Sequence, residues 1–92
     1  MTTKWQTAAI NKPVDDGVEL VSMTRHKGSS YMLLAKLRIT ADDSTNEHYA
    51  RFDLGRKLLI DIPPGLSEGQ RNRISKHIWE LLQNTSLNWT QP

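Results

Sequence analysis

His26, His48 and His77 are the side chains best suited to proton transfer or metal binding near neutral pH. Their spacing argues against both uses. No pair forms an HxH, HExxH or comparable pattern, and a first-row metal needs donors that converge. Asp15-Asp16 and Asp42-Asp43 are carboxylate pairs that can in principle divide acid and base roles. Both lie in turn-like runs, where aspartate is favoured for bonding to nearby backbone. Ser29-Ser30 has no strand–turn–helix context for a nucleophile. Gly65 and Gly69 come without the lysine of a phosphate loop, and Ser67 between them fits a helix cap. The absence of cysteine removes disulfide frameworks, thiolate zinc sites and cysteine nucleophiles. The expectation is a protein that is not an enzyme and takes no metal, cofactor or small-molecule substrate.

The surface carries the remaining chemistry. Period-two alternation places Lys36 and Arg38 on one sheet face with Met32 and Leu34, and Tyr49 and Arg51 fall in the same register. Arg25, Lys27, Arg56 and Lys57 are expected at loop tips. Cations around an aromatic ring can hold single-stranded nucleic acid by phosphate contact and stacking. An apolar pair flanked by arginines and a tyrosine better suits a protein-binding patch. Asp53, on the same face, weakens the positive field. The plainer reading is that lysine and arginine keep an exposed face solvated and its edges unpaired. The candidate partner-binding residues are therefore Arg25, Lys27, Met32, Lys36, Arg38, Tyr49, Arg51 and Arg56.

These residues depend on a few elements. Tyr31–Thr40 reads as a strand with Tyr31, Leu33, Ala35, Leu37 and Ile39 inward. Val18–Arg25 reads as another, although Leu20 and Val21 both call for burial. Ala41–Glu47 reads as a polar connection. His48–Leu54 and Leu58–Ile62 form a hairpin, and a three-residue loop would pair Leu54 with Leu58, Phe52 with Ile60 and Ala50 with Ile62. A two-residue turn would oppose Phe52 to Leu59 and turn Ile60 away. Pro63-Pro64 ends the strand. Ser67 and Gln70 spell a capping box, and Ile74, Ile78, Leu81 and Leu82 form the apolar stripe of a helix that Asn84 can end. Arg73, Lys76 and Glu80 take its outer face, Trp79 flanks the stripe, and Arg71 can snorkel at the first turn. Leu87 and Trp89 are placed to fold back. The sum is an α+β fold, a four-stranded antiparallel meander packed against one C-terminal helix. Residues 1–92 form a single domain, with 1–17 a loosely attached strand or arm in which Trp5 covers an edge of the core.

Composition agrees with a small globular domain: 37% hydrophobic and 24% charged residues, with a net charge of +2. That charge is mild for a duplex-binding protein and has the wrong sign for an acidic DNA mimic. The first residues lack the apolar run of a signal peptide, and no window is long enough to span a bilayer, so a cytoplasmic, membrane-free protein is expected. In size and strand-strand-strand-strand-helix layout the whole chain resembles the phage-encoded anti-CRISPR inhibitors of the type I-F group. Tyr49-Ala-Arg-Phe-Asp-Leu-Gly-Arg-Lys-Leu-Leu-Ile-Asp61 is the stretch on which the resemblance can be searched. These inhibitors share no common signature, so the resemblance assigns no residue role. It implies a protein that docks on a crRNA-guided surveillance complex in the host cytoplasm and blocks target DNA binding. Many of the inhibitors are acidic, and the slight positive charge here favours Cas protein subunits or the guide RNA backbone as the contact. The alternative expectation is a small RNA- or single-strand-binding module that uses the basic sheet face.

Overall fold

The computed structural model describes residues 5–26, 28 and 31–91. Five antiparallel strands follow one another as neighbours: β1 (Trp5–Asp15), β2 (Val18–His26), β3 (Met32–Ala41), β4 (Ser44–Asp53) and β5 (Leu58–Leu59). One helix, α1 (Glu68–Asn84), completes an α+β architecture. The expected four strands become five because β1 pairs with β2 from Trp5 through Asp15. Helix α1 approaches the two outermost strands, β1 and β5, so the sheet curls around it.

Leu33, Ala35, Leu37 and Ile39 point beneath the helix, with Ala50 and Phe52 from β4. Tyr31 does not join that row. It precedes β3, is 74% exposed, and uses its carbonyl to accept the Leu54 N–H. In β2 the competition between Leu20 and Val21 is resolved by a bulge. The register slips between Leu20 and Ser22, so Leu20 and Met23 are both fully buried while Val21 is the inserted residue. A matching irregularity in β1 spans Ala9 to Lys12, where Asn11 takes φ 53. Gly17 closes the β1–β2 turn at φ 71, and a side chain there would press to 2.9 Å from the Thr40 carbonyl, so this turn selects glycine.

Two boundaries differ from the sequence reading. Strand β4 begins at Ser44 rather than His48, because Asp42 and Asp43 make a two-residue turn with Asp42 at φ 54. Thr40 and Thr45 hydroxyls bond across it at 3.1 Å. Strand β5 stops at Leu59, and Phe52 faces Leu59, the register expected to be wrong. Asp53 is the cause: its Oδ1 accepts the Gly55 and Arg56 N–H groups at 2.8 and 3.0 Å, and Lys57 turns at φ 58. The resulting four-residue loop sends Leu59 inward at 1% exposure and leaves Ile62 41% exposed.

The helix follows its signals. Ser67 Oγ accepts the Gln70 N–H, and the Gln70 side chain accepts the Ser67 N–H, a complete capping box. Ile74 and Ile78 are fully buried, while Leu81 and Leu82 are partly buried against the core. Thr85, extended at φ −124, caps the C-terminus by donating to the Leu81 carbonyl, so no left-handed Asn84 is used. Leu87 and Trp89 fold back on the core, and Thr7 and Thr90 exchange two backbone bonds of 2.8 and 2.9 Å.

Candidate functional site

The face of the sheet away from α1 carries most of the candidate residues, and strand register sets their neighbours. Successive rungs across it read Thr7–Thr24–Leu34–Arg51, then Ala9–Ser22–Lys36–Tyr49, then Pro13–Glu19–Arg38–Glu47. Met32 lies on the same face opposite Asp53, and Trp5 lies opposite His26. Trp5 is thus on the outer face, not over an edge of the core. Its ring meets His26 edge-on at 4.8 Å.

One end of this face is ion-paired. Arg38 binds Glu19 at 2.6 Å and Glu47 at 3.0 Å, and Lys36 reaches Glu47 at 3.4 Å. Arg51 forms a two-pronged contact with Asp61, at 2.8 and 3.1 Å. The expected basic face is therefore charge-balanced, because Glu19, Glu47 and Asp61 supply the counter-charges. Arg38 and then Lys36 hold the Glu47 carboxyl below its usual range, and Arg51 does the same for Asp61. Asp61 in turn raises the Arg51 guanidinium. Lys36 also lies 5.7 Å from the ring centre of Tyr49, which is 64% exposed.

The other end is apolar. Around the Arg51–Asp61 pair, which belongs to this end, Trp5, Thr24, His26, Met32, Leu33 and Leu34 line with Arg51 a groove of about 300 Å³. Trp5 and His26 were not among the sequence candidates. The signal for Trp5 was available in its alternation with Thr7 and Ala9, whereas His26 is brought beside it by the β1–β2 register alone.

The remaining candidates disperse. Arg25 stands on the helix side of β2, opposite Leu33, bonded through Nε to Gln6 and stacked 4.2 Å from the Trp89 ring. It is a packing residue of the C-terminal segment rather than a loop tip. Arg56 sits in the β4–β5 turn with a 3.9 Å contact to Asp53. Lys27 and the Ser29-Ser30 pair lie outside the described residues. Lys57 lies over Trp79 at 4.7 Å. Arg71 pairs with Glu68 at 3.3 Å, and its buried Nε has no hydrogen-bond partner among the described residues.

Arg73, expected on a solvated helix face, instead clamps Asp15 at 3.0 and 3.3 Å and ties α1 to β1. That bond lowers the Asp15 carboxyl and raises Arg73. A carboxylate that ionises more readily when folded stabilises the fold above its unfolded value, and that contribution disappears as pH falls through the depressed one. The melting temperature is accordingly expected to fall on acidification below about pH 4, and Asp15→Asn should flatten part of that fall. Thermal melts of both proteins across that range check it; an identical slope would remove Asp15 from the account.

Among the described residues no three metal-ligating side chains converge, and no helix is long and apolar enough to cross a membrane. His26 Nδ1 accepts the Gly28 N–H at 3.0 Å, while His77 lies beside Asp15, Arg73, Lys76 and Glu80 in a shallow groove between α1 and β1. The arrangement on the outer face is suited to contact: an apolar groove at one end and fixed, paired charges at the other. Comparison with known protein families, curated proteins and solved structures finds no match to this chain.

Proposed function

We propose that this chain is a binding protein without catalytic activity that docks through its outer sheet face on a host protein or ribonucleoprotein assembly. The observation that carries the reading is the groove at Met32, Leu34 and Trp5, an apolar surface on an otherwise polar face. Balanced charges beside it favour protein contact over a phosphate backbone, since Lys36, Arg38 and Arg51 already face carboxylates. The resemblance to type I-F anti-CRISPR inhibitors makes a crRNA-guided surveillance complex the first assembly to test, with loss of target DNA binding as the effect. Leu34→Asp should weaken that inhibition about tenfold or more, as loss of a central apolar contact does at interfaces, without lowering the melting temperature appreciably. Gel-shift titration of target DNA with both proteins measures this. Unaltered DNA binding in the presence of wild-type protein eliminates the surveillance complex, and full potency of Leu34→Asp eliminates the face.

A second reading, single-stranded nucleic-acid binding, is favoured by exposed Tyr49 beneath Lys36. It requires an affinity for oligonucleotides that falls with salt, and a shallower slope for Lys36→Ala.

A further inference from the structure

The margins of the sheet are guarded unequally. Along β1, Asn11 sits in a bulge, Pro13 withdraws a donor, and Thr7 is covered by Thr90. At β5, the Leu59 N–H is taken by Ser75 Oγ of the helix at 2.9 Å. Strand β4 has no such cover over most of its length. Strand β5 pairs only with Phe52 and Asp53, and Ile60 adds one bond to the Arg51 carbonyl. From Ser44 to Ala50 no strand among the described residues lies beyond β4. The β3–β4 ladder is regular from Met32–Asp53 to Ala41–Ser44, with no bulge to twist the margin away.

Backbone direction along this margin follows from two bonds. Leu54 donates to the Tyr31 carbonyl on the β3 side, whereas Arg51 accepts from Ile60 on the opposite side. Backbone groups alternate along a strand, so Thr45, Glu47 and Tyr49 aim their N–H and C=O groups away from β3. All three are exposed. A row of this kind is a template for strand addition.

We infer that the β4 margin from Thr45 to Tyr49 accepts an extended segment of a partner polypeptide carrying a cationic side chain opposite Glu47. This rests on the binding-protein reading and names the class of partner. Glu47 is the only charged residue from Ser44 to Ala50. Lys36 holds its Oε1 at 3.4 Å and Arg38 its Oε2 at 3.0 Å, and a carboxylate so held still has a lone pair on each oxygen for a further donor. A second copy of the chain is the wrong occupant. The antiparallel pairing that spans Thr45 to Tyr49 and stays clear of β5 sets Glu47 against Glu47, and like charges directly opposite destabilise a sheet. A lysine or arginine in that place reverses the sign. Tyr49 adds a ring against which a β-branched neighbour can pack.

The test uses the full chain, isotope-labelled, and a cyclic β-hairpin peptide whose outer strand reads Thr-Val-Lys-Val-Thr, with a matched peptide bearing Glu for Lys. Saturation with the lysine peptide should slow amide exchange at Thr45, Glu47 and Tyr49 about tenfold or more, leaving Asn46 and His48 unchanged. The glutamate peptide should bind about tenfold more weakly, and Glu47→Lys should invert that preference. Tyr49→Pro, which deletes an outward donor and spares the β3 ladder, should lose the lysine peptide while keeping its melting temperature. Unchanged exchange, equal affinity for both peptides, or protection of the same amides by self-association in sedimentation would each overturn the inference. Retention of the surveillance complex by Tyr49→Pro alongside its loss by Leu34→Asp overturns strand addition but leaves the docking face standing.

Discussion

Ile78→Asp is expected to give a chain with no cooperative unfolding transition and collapsed amide dispersion in its NMR spectrum. Ile78 is fully buried where α1 meets the sheet, in a cluster that includes Ile74, Phe52, Leu20 and Leu37. A carboxylate there either loses its hydration or takes up a proton, and both costs are several kcal/mol or about that. Excising the apolar side chain alone, as in Ile78→Ala, costs about 2–5 kcal/mol. A small domain holds only about 5–15 kcal/mol in total, so the two losses together exceed or nearly exhaust its stability. Ile78→Val is the control, expected to cost about 0.5–1.5 kcal/mol in urea unfolding and to keep the native spectrum. A folded Ile78→Asp protein would mean that α1 does not seal the core.

That prediction is available from the sequence because helix signals are local. Ser67 and Gln70 are three residues apart, and Ile74 and Ile78 recur within one turn, so spacing alone assigns the cap and the buried face. The inward row of β3 is legible for the same reason, down to Leu33 and Ile39. Strand β4 is not, because its first half, Ser44 to Glu47, has no apolar member to reveal alternation. Those residues are strand because their partners are: Thr45 meets Thr40, and Glu47 meets Arg38.

The β5 register fails for a different reason. Leu58-Leu59-Ile60 is apolar on both faces, so pattern cannot choose between neighbouring registers, and the choice falls to Asp53 bonding the loop backbone. The same non-locality explains the outer face. Lys36, Arg38, Tyr49 and Arg51 are placed correctly by alternation, yet their charge balance depends on Glu19 and Asp61, which register alone brings alongside. Arg25 is misplaced because β2 continues to His26 and its bulge at Val21 turns Arg25 to the helix side, where it meets Trp89.

Ser75 is the residue whose role is least visible in the sequence, and Ser75→Ala should destabilise the protein by about 1–3 kcal/mol. It lies on the buried side of α1 at 2% exposure, between Ile74 and Ile78 in the stripe, where an alanine looks equally acceptable. Its hydroxyl accepts the Leu59 N–H at 2.9 Å and donates to the Arg71 carbonyl at 2.7 Å. Leu59 is itself 1% exposed, so losing the hydroxyl leaves a buried donor with neither protein nor water to accept it. The cost is the desolvation of that N–H rather than the modest net value of an ordinary bond. Urea unfolding reads the loss, and amide exchange locates it: Leu59 should exchange faster in Ser75→Ala while the β2–β3 amides keep their protection. Unchanged stability together with unchanged Leu59 exchange would show that the short strand β5 is held by Leu59 burial alone, and that the helix shields this margin by bulk rather than by a bond.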